Sequence, residues 1–104
     1  MASSKPKPYR LRPCALDDLE AIWLYTAKQW SVDQADIYIR QLTAGLDLLA
    51  EQPEIARERP ELNPPVRVYP VGSHVIIYQI ETDHIDIIRL RHGREDWAND
   101  PTYG

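Results

Sequence analysis

The chain has 104 residues, of which 43% are apolar and 27% charged, so we expect one globular domain rather than two domains or a disordered chain. Its single cysteine, Cys14, cannot form an intramolecular disulfide, and no apolar run approaches the about 18 residues of a membrane-spanning helix. These features favour a cytoplasmic protein with no membrane segment and no disulfide framework.

Charge is distributed unevenly along the chain. The net charge is −4, and residues 14–51 carry seven acids against two bases. A protein that binds nucleic acid by itself through phosphate contacts is usually basic on its binding surface. The sequence therefore disfavours direct, autonomous binding of DNA or RNA and favours a basic or bipolar protein partner.

A short strand and two amphipathic helices are predicted in the first half. Residues 1–8 have no periodic pattern and are expected to form a flexible lead-in. In residues 9–13 apolar and charged residues alternate, which predicts a short strand that Pro13 ends. Three- and four-residue spacing then predicts a helix with the apolar stripe Leu16, Leu19, Trp23, Thr26, Ala27 and Trp30. Ser31 and Gln34 have capping-box spacing, which predicts the start of a second helix that Pro53 stops. The short link between the two helices predicts an antiparallel hairpin.

The second half predicts a loop and three strands. Residues 53–65 contain four prolines and predict a long irregular loop, either functional or an inert connector. Segments 66–71, 74–80 and 84–91 are rich in β-branched and apolar residues between short polar breaks, which predicts an antiparallel meander. In the last strand the apolar residues change midway from one face of the strand to the other. Either a bulge near Arg89 causes this change, or the helices no longer cover the sheet there.

These elements together predict an α+β fold in two layers. The N-terminal strand and the antiparallel α-helical hairpin pack on the antiparallel β-meander, and the N-terminal strand can join that sheet. We expect a single domain over residues 9–97 and a loose C-terminal tail at 98–104.

Four basic residues crowd the end of the last predicted strand: Arg89, Arg91, His92 and Arg94. Such a group could hold an anion while the imidazole moves a proton, as in a metal-independent ribonuclease, and Arg67 could join it from a neighbouring strand. The alternative, which the local balance of charge favours, is that the arginines pair with Glu95, Asp96 or a partner's carboxylates while the histidine caps the strand. No phosphate-binding loop or metal-binding motif is present, so we predict no cofactor and no metal.

The tryptophans have different predicted roles. Trp23 and Trp30 share the helix stripe and are predicted to be core residues. Trp97 lies outside any periodic pattern, which leaves an interface role and simple packing equally open.

Several segments together resemble the ParE toxins of the RelE/ParE superfamily, which belong to bacterial type II toxin-antitoxin systems. These are YRLRPCALDDLEAIWLYTAKQWS, a helix with QAxxYIRQL, the stop at EQP, VRVYPVGSHVIIYQI and IDIIRLRHGRED, over roughly residues 9–97. The most specific pieces are GSHVIIY and RLRHGRED. The resemblance implies a toxin that poisons DNA gyrase and forms a hetero-oligomer with a ParD-like antitoxin, which wraps around the toxin and inactivates it.

Two alternatives remain beside that function. The RelE-like branch consists of ribosome-dependent mRNA endonucleases, in which His92, Arg89 and Arg67 would do the cleavage. In this chain no tyrosine follows His92 directly, and Tyr103 falls in the predicted tail. The other alternative is a degenerate toxin that only binds antitoxin.

The resemblance and the pattern together assign residues to surfaces. The residues expected to bind the target are Arg67, Arg89, Arg91, His92, Arg94 and Trp97. Those expected to bind the antitoxin are Trp23, Tyr38, Tyr69, His74, Ile76 and Tyr78. A helix of the antitoxin is expected to cover apolar surface of the hairpin, and an extended segment to add to a sheet edge or cross the sheet.

Overall fold

The computed structural model describes residues 8–99, which form a five-stranded mixed sheet under a helical hairpin. In chain order the elements are β1 (Tyr9–Leu11), α1 (Pro13–Gln29), α2 (Val32–Glu51), β2 (Glu58–Arg59), β3 (Val66–Val71), β4 (His74–Ile80), β5 (Ile85–His92) and a 3₁₀ turn (Trp97–Asn99). The flexible segments expected at 1–8 and 98–104 lie outside the described residues, except for Pro8, Ala98 and Asn99. The predicted α+β fold is confirmed.

The N-terminal strand joins the sheet beside the last strand. β1 runs parallel to β5, and the strand order is β1-β5-β4-β3-β2, with all other pairs antiparallel. Pro13 occupies the first turn of α1, where its missing N–H costs no hydrogen bond. The N–H of Arg12 still donates to the carbonyl of Ile87 at 3.0 Å, so the helix starts directly from the sheet edge.

The two helices form the predicted hairpin. The Ser31 hydroxyl accepts a hydrogen bond from the Gln34 N–H at 3.0 Å, which confirms the predicted cap of α2. α2 ends at Glu51, two residues before Pro53. Neither helix within residues 8–99 is long and apolar enough to cross a membrane.

The face that α1 turns toward the sheet differs from the predicted stripe. Ala15 and Ile22 are buried, whereas Leu16 is 53% exposed and Trp30 is 77% exposed. The buried positions Ala15 and Ile22 lie one residue before Leu16 and Trp23 of the predicted stripe, whereas Leu19 packs against the core as expected. The prediction that Trp30 is a core residue is therefore wrong, and Trp23 is half-buried, with its indole N–H donating to Asp36 at 2.8 Å.

Apolar side chains fill both faces of the sheet. The inner core lies between hairpin and sheet and includes Leu42, Leu46, Ile76, Tyr78, Ile87 and Leu90. The outer cluster lies on the opposite face and consists of Val66, Ile77, Ile88 and Trp97, with Leu62 and Ala98 packed against it. The proline-rich loop and the 3₁₀ turn thus cover the face that the helices leave open.

A bulge in β5 explains its change of parity. Tyr78 pairs with Ile87 and Ile77 pairs with Arg89, which leaves Ile88 without a partner on β4. The extra residue sends Ile88 to the outer cluster and returns Leu90 to the inner core. Of the two explanations open from the sequence, the bulge near Arg89 is confirmed.

Candidate functional site

The basic end of β5 lies beside two adjoining cavities between the tip of the hairpin and the start of β4. The first has a volume of about 430 Å³ and is lined by aromatic residues of the hairpin, including Tyr25, Trp30 and Tyr38. The second, of about 390 Å³, is lined by the charged residues Asp18, Arg89, Arg91 and Glu95. Tyr25, His74 and His92 line both cavities, so we treat them as one site, the histidine cleft.

Arg89 is held by a carboxylate of α1. Its Nε donates to Oδ2 of Asp18 at 2.7 Å and its Nη2 to Oδ1 at 2.9 Å, in a bidentate pair. Both side chains are mostly buried, with 18% and 14% exposed. The hydrogen bond that Arg89 donates to Asp18 raises the pKa of Arg89, which keeps the guanidinium charged.

Arg91 is held by a carboxylate that follows it in sequence. Its guanidinium donates to Glu95 at 3.0 and 3.2 Å, and the N–H of His92 donates to the same carboxylate at 2.9 Å. The hydrogen bond from Arg91 lowers the pKa of Glu95. The alternative in which Arg91 pairs with Glu95 is therefore confirmed.

The same two carboxylates also cap backbone groups at the edge of β5. β1 pairs with β5 only as far as Ile87, so the strand continues beyond its neighbour. There Asp18 accepts the N–H of Leu90 at 3.0 Å, as Glu95 accepts that of His92. A strand of a partner could pair with these N–H groups only by displacing both carboxylates.

His74 and His92 face each other across β4 and β5. They are register partners, and their ring centroids lie 5.3 Å apart at an interplanar angle of 73°. Nδ1 of His74 lies 2.6 Å from the Tyr38 hydroxyl, which also accepts the Ser73 N–H, and Nδ1 of His92 accepts the Arg94 N–H. Burial, followed by the charge of His92, lowers the pKa of His74, so its neutral form is favoured.

The hydrogen bonds assign a tautomer to neutral His92 and allow the same tautomer for His74. Since the Arg94 N–H donates to Nδ1 of His92, the ring proton of the neutral form lies on Nε2. The Tyr38 hydroxyl accepts the Ser73 N–H, and its own proton can be donated to Nδ1 of His74. In that arrangement the neutral imidazole of His74 also carries its proton on Nε2.

Arg67 lies far from the other basic residues proposed for catalysis. Arg67 is opposite Tyr78 on β4, while His92 is opposite His74 on the same strand. Four residues along β4 and two strand spacings across the sheet place the Cα atoms of Arg67 and His92 about 16 Å apart. Arg67 instead donates to the carbonyl of Ala56 at 2.6 Å, so the predicted group of Arg67, Arg89 and His92 does not assemble.

Three residues predicted to contact a partner are buried in this conformation. Ile76 and Tyr78 have no exposed surface, and the Tyr78 hydroxyl donates to the Pro53 carbonyl at 2.7 Å. Trp97 is 8% exposed, with the Arg59 guanidinium 5.9 Å from its ring centroid. Their large apolar side chains pack in the two cores, so none of the three presents a docking surface.

The other predicted partner-binding residues are partly or fully accessible. Tyr69 is half-buried against the inner core, and Tyr38 lines the histidine cleft. Arg94 is exposed at the turn after β5, and its guanidinium has no side-chain partner among residues 8–99.

Three residues of the cleft were not predicted from the sequence. Asp18 gives no signal in the sequence, because nothing local indicates a pairing with an arginine 71 positions away. Tyr25 is 65% exposed, and its position off the predicted apolar stripe was the available signal. Trp30 was assigned to the core, although it lies at the very end of α1.

Comparisons with known proteins agree with this fold. The family model described as "ParE toxin of type II toxin-antitoxin system, parDE" matches residues 9–97. The chain is 39% identical over 89 residues to "Toxin ParE1" of Mycobacterium tuberculosis, covering 85% of this chain and 91% of that protein. It is 38% identical over 86 residues to "Toxin ParE1" of Caulobacter vibrioides, covering 83% and 88%.

A solved structure has the same fold. A chain from "Chromosomal ParDE TA system from P. aeruginosa" superimposes with a TM-score of 0.72 at 17% identity, covering 81% of this chain and 92% of that one. At this identity the likeness concerns the fold alone.

Proposed function

Because the chain belongs to the ParE toxin family of type II toxin-antitoxin systems, we propose that it poisons DNA gyrase and that a ParD-like antitoxin neutralises it. The observation that carries the proposal is the extent of the family match. It runs from β1 to Trp97 and so includes the whole basic end of β5 together with the hairpin that faces it.

The charge distribution supports a protein target. The chain has a net charge of −4, and within residues 8–99 most of the acids outside the cleft form no ion pair. Long tracks of phosphate contacts need a basic surface, whereas this chain is acidic overall. A protein surface needs only a few well-placed cations.

We place the contact with the target at the turn that follows β5. Arg89 and Arg91 are held by Asp18 and Glu95, so their charges are largely compensated within the chain. Arg94 is the exposed cation of this group, and His92 lies beside it, with its ring bonded to the Arg94 N–H. The paired arginines keep the turn in place while Arg94 meets the target.

The ribonuclease alternative has no support from the geometry. A general base works at hydrogen-bond distance from the proton that it removes, with the anion-binding groups around the same atom. About 16 Å separate Arg67 from His92, and Arg89 is already bound by Asp18.

The antitoxin is proposed to use two surfaces of the free toxin. The hairpin exposes large apolar side chains, which an amphipathic helix can cover: Leu16, Leu24, Tyr25, Trp30, Val32 and Ile37. β2 pairs only with the first two residues of β3, so the rest of that strand has no outer neighbour among the described elements. An extended antitoxin segment can pair there, whereas the edge of β5 is capped.

The proposal is tested with purified protein and DNA gyrase. We expect the chain to inhibit supercoiling and to raise the amount of cleaved DNA bound to gyrase, and Arg94→Ala to weaken both effects about tenfold or more. Arg57→Ala is the matched control, because Arg57 is an exposed arginine in the loop before β2. Unchanged supercoiling and unchanged cleavage with folded wild-type protein would refute the proposal that the chain poisons gyrase. Equal losses in both variants would refute the assignment to Arg94.

A further inference from the structure

One half of the histidine cleft is an exposed aromatic surface. Tyr25 is 65% exposed and Trp30 is 77% exposed, and both line the cavity of about 430 Å³. That volume lies within the range of about 300–1,000 Å³ found for binding pockets. Tyrosine and tryptophan are the residues that most often dominate binding energy at interfaces, because they bury a large rigid area.

The other half of the cleft is a pair of hydrogen-bond donors. Both Nδ1 atoms are bonded within the chain, which leaves the Nε2 atoms of His74 and His92 for an outside partner. Among the described residues no buried side-chain nitrogen or oxygen lacks a partner, so both Nε2 atoms are accessible to solvent. Two cross-strand N–H donors suit an acceptor with two oxygens.

The chemistry of the pair selects the kind of acceptor. A metal ion on Nε2 of His92 would need the ring proton to move to Nδ1, which already accepts the Arg94 N–H, and residues 8–99 contain no group of three or more side chains that could hold a metal. A dianionic phosphate would lie close to Asp18 and Glu95, which line the same cleft. A carboxylate has a single charge and two acceptor oxygens, and so fits both constraints.

We infer that the histidine cleft binds one segment of the antitoxin, which places an aromatic or large aliphatic side chain against Tyr25 and Trp30 and a carboxylate on the Nε2 atoms of His74 and His92. The inference rests on the proposed function and names the chemistry of the partner. The cleft is continuous with the exposed apolar surface of the hairpin, so a segment that leaves a helix on that surface can enter it directly.

Docking of the carboxylate is coupled to a proton. The groups around His74 are His92, Arg89 and Arg91 on β5, Asp18 and Tyr25 on α1, Tyr38 on α2, and Glu95 after β5. In the free chain burial, followed by the neighbouring histidine, lowers the pKa of His74 and so favours its neutral form. An added negative charge favours the imidazolium form, so occupation of the cleft takes up a proton and tightens as the pH falls from 8 to 6.

A pair of small probes tests the two halves of the site without knowledge of the antitoxin sequence. Indole-3-acetate carries the ring and the carboxylate, and indole-3-acetamide carries the same ring with a neutral group. We expect NMR titration of the free toxin to show the acid binding about tenfold more tightly than the amide at pH 6, with shifts of the His74, His92 and Trp30 ring signals. Equal binding of the two probes, or shifts located elsewhere, would overturn the inference.

Variants and the assembled complex complete the test. His92→Gln is expected to remove the preference for the acid, Trp30→Ala to weaken both probes, and Ile55→Ala, an exposed apolar residue outside the cleft, to leave both unchanged. Because Trp30 is exposed, its variant keeps the test valid even if His92→Gln fails to fold. Toxin in complex with its antitoxin should bind neither probe, and a complex that still binds them would show that the antitoxin does not occupy the cleft.

This result is independent of the gyrase experiment, which uses the toxin alone. Gyrase inhibition without probe binding refutes only the proposal that the antitoxin binds in the histidine cleft. If the free toxin binds the probes, the antitoxin complex does not, and gyrase is not inhibited, then only the proposal that gyrase is the target is refuted.

Discussion

Replacing Asp18 by alanine is predicted to destabilise the whole domain, although Asp18 lies on a partly exposed helix. The Asp18 carboxylate receives two hydrogen bonds from Arg89 and one from the Leu90 N–H, over distances of 2.7 to 3.0 Å. Removing it leaves a guanidinium that is 18% exposed, together with a backbone donor at the sheet edge. This carboxylate joins α1 to the part of β5 that β1 does not reach.

The magnitude follows from the burial of the pair. Removing one partner of a fully buried ion pair costs about 3–5 kcal/mol, and an unsatisfied backbone donor adds about 1 kcal/mol. Water reaches part of Arg89 and offsets some of this cost. We therefore expect Asp18→Ala to lower the free energy of unfolding by about 2–4 kcal/mol, which corresponds to a decrease in Tm of about 10–25 °C.

Urea and thermal unfolding, followed by tryptophan fluorescence and circular dichroism, measure the effect. Glu61→Ala is the control, because Glu61 forms an exposed ion pair with Arg59 and its removal should leave Tm unchanged within error. A double-mutant cycle with Arg89→Ala should give a coupling of about 1–3 kcal/mol. If Asp18→Ala were no more destabilising than Glu61→Ala, the structural role of the pair would be refuted.

Three further predictions concern pH, packing and the tryptophans. Because the pKa of His74 is lowered in the folded state, the stability that its neutral form contributes is present above about pH 6.5 and is lost as the pH falls through that value toward the folded pKa. Unfolding midpoints from pH 7.5 to 5.5 should therefore fall more steeply for wild type than for His74→Gln, and equal slopes would contradict the assignment. Gly45→Ala should lower the free energy of unfolding by about 1–2 kcal/mol despite alanine's higher helix propensity, because the added Cβ would lie 2.8 Å from a methyl group of Val71. An increase in stability, measured by urea unfolding, would show that β3 moves to accommodate the methyl group. Trp97→Ala should lower the free energy of unfolding of the free toxin by about 3–4 kcal/mol, and Trp30→Ala should leave it almost unchanged. A lower unfolding midpoint for Trp30→Ala than for Trp97→Ala would contradict the burial of Trp97.

The fold was largely predictable because its signals are local. The hydroxyl of Ser31, the proline that follows α2 and the apolar, β-branched runs of β3 and β4 each act within a few residues, and each element is found where these signals predict it. Even the bulge left a local signal, because one extra residue moves the apolar side chains of β5 to the other face of the sheet. The parallel pairing of β1 with β5 left none, since it joins segments that are more than 70 residues apart.

The site was predicted less well because its contacts are not local. Asp18 and Arg89 lie 71 positions apart, and His74 meets His92 only because β4 and β5 pair in that register. Trp97 gave no periodic signal, since it packs on the outer face of the sheet from a single turn of 3₁₀ helix. The sequence located the basic end of β5 and gave the Arg91–Glu95 pair as one alternative, but it did not indicate that Asp18 neutralises Arg89.

Measuring gyrase covalently bound to DNA in cells that express the chain tests directly whether gyrase is the target. We expect these complexes to accumulate when the chain is expressed alone, together with growth arrest, and to return to the baseline when its ParD-like antitoxin is co-expressed. Growth arrest with gyrase–DNA complexes at the baseline would show that the chain acts on another target.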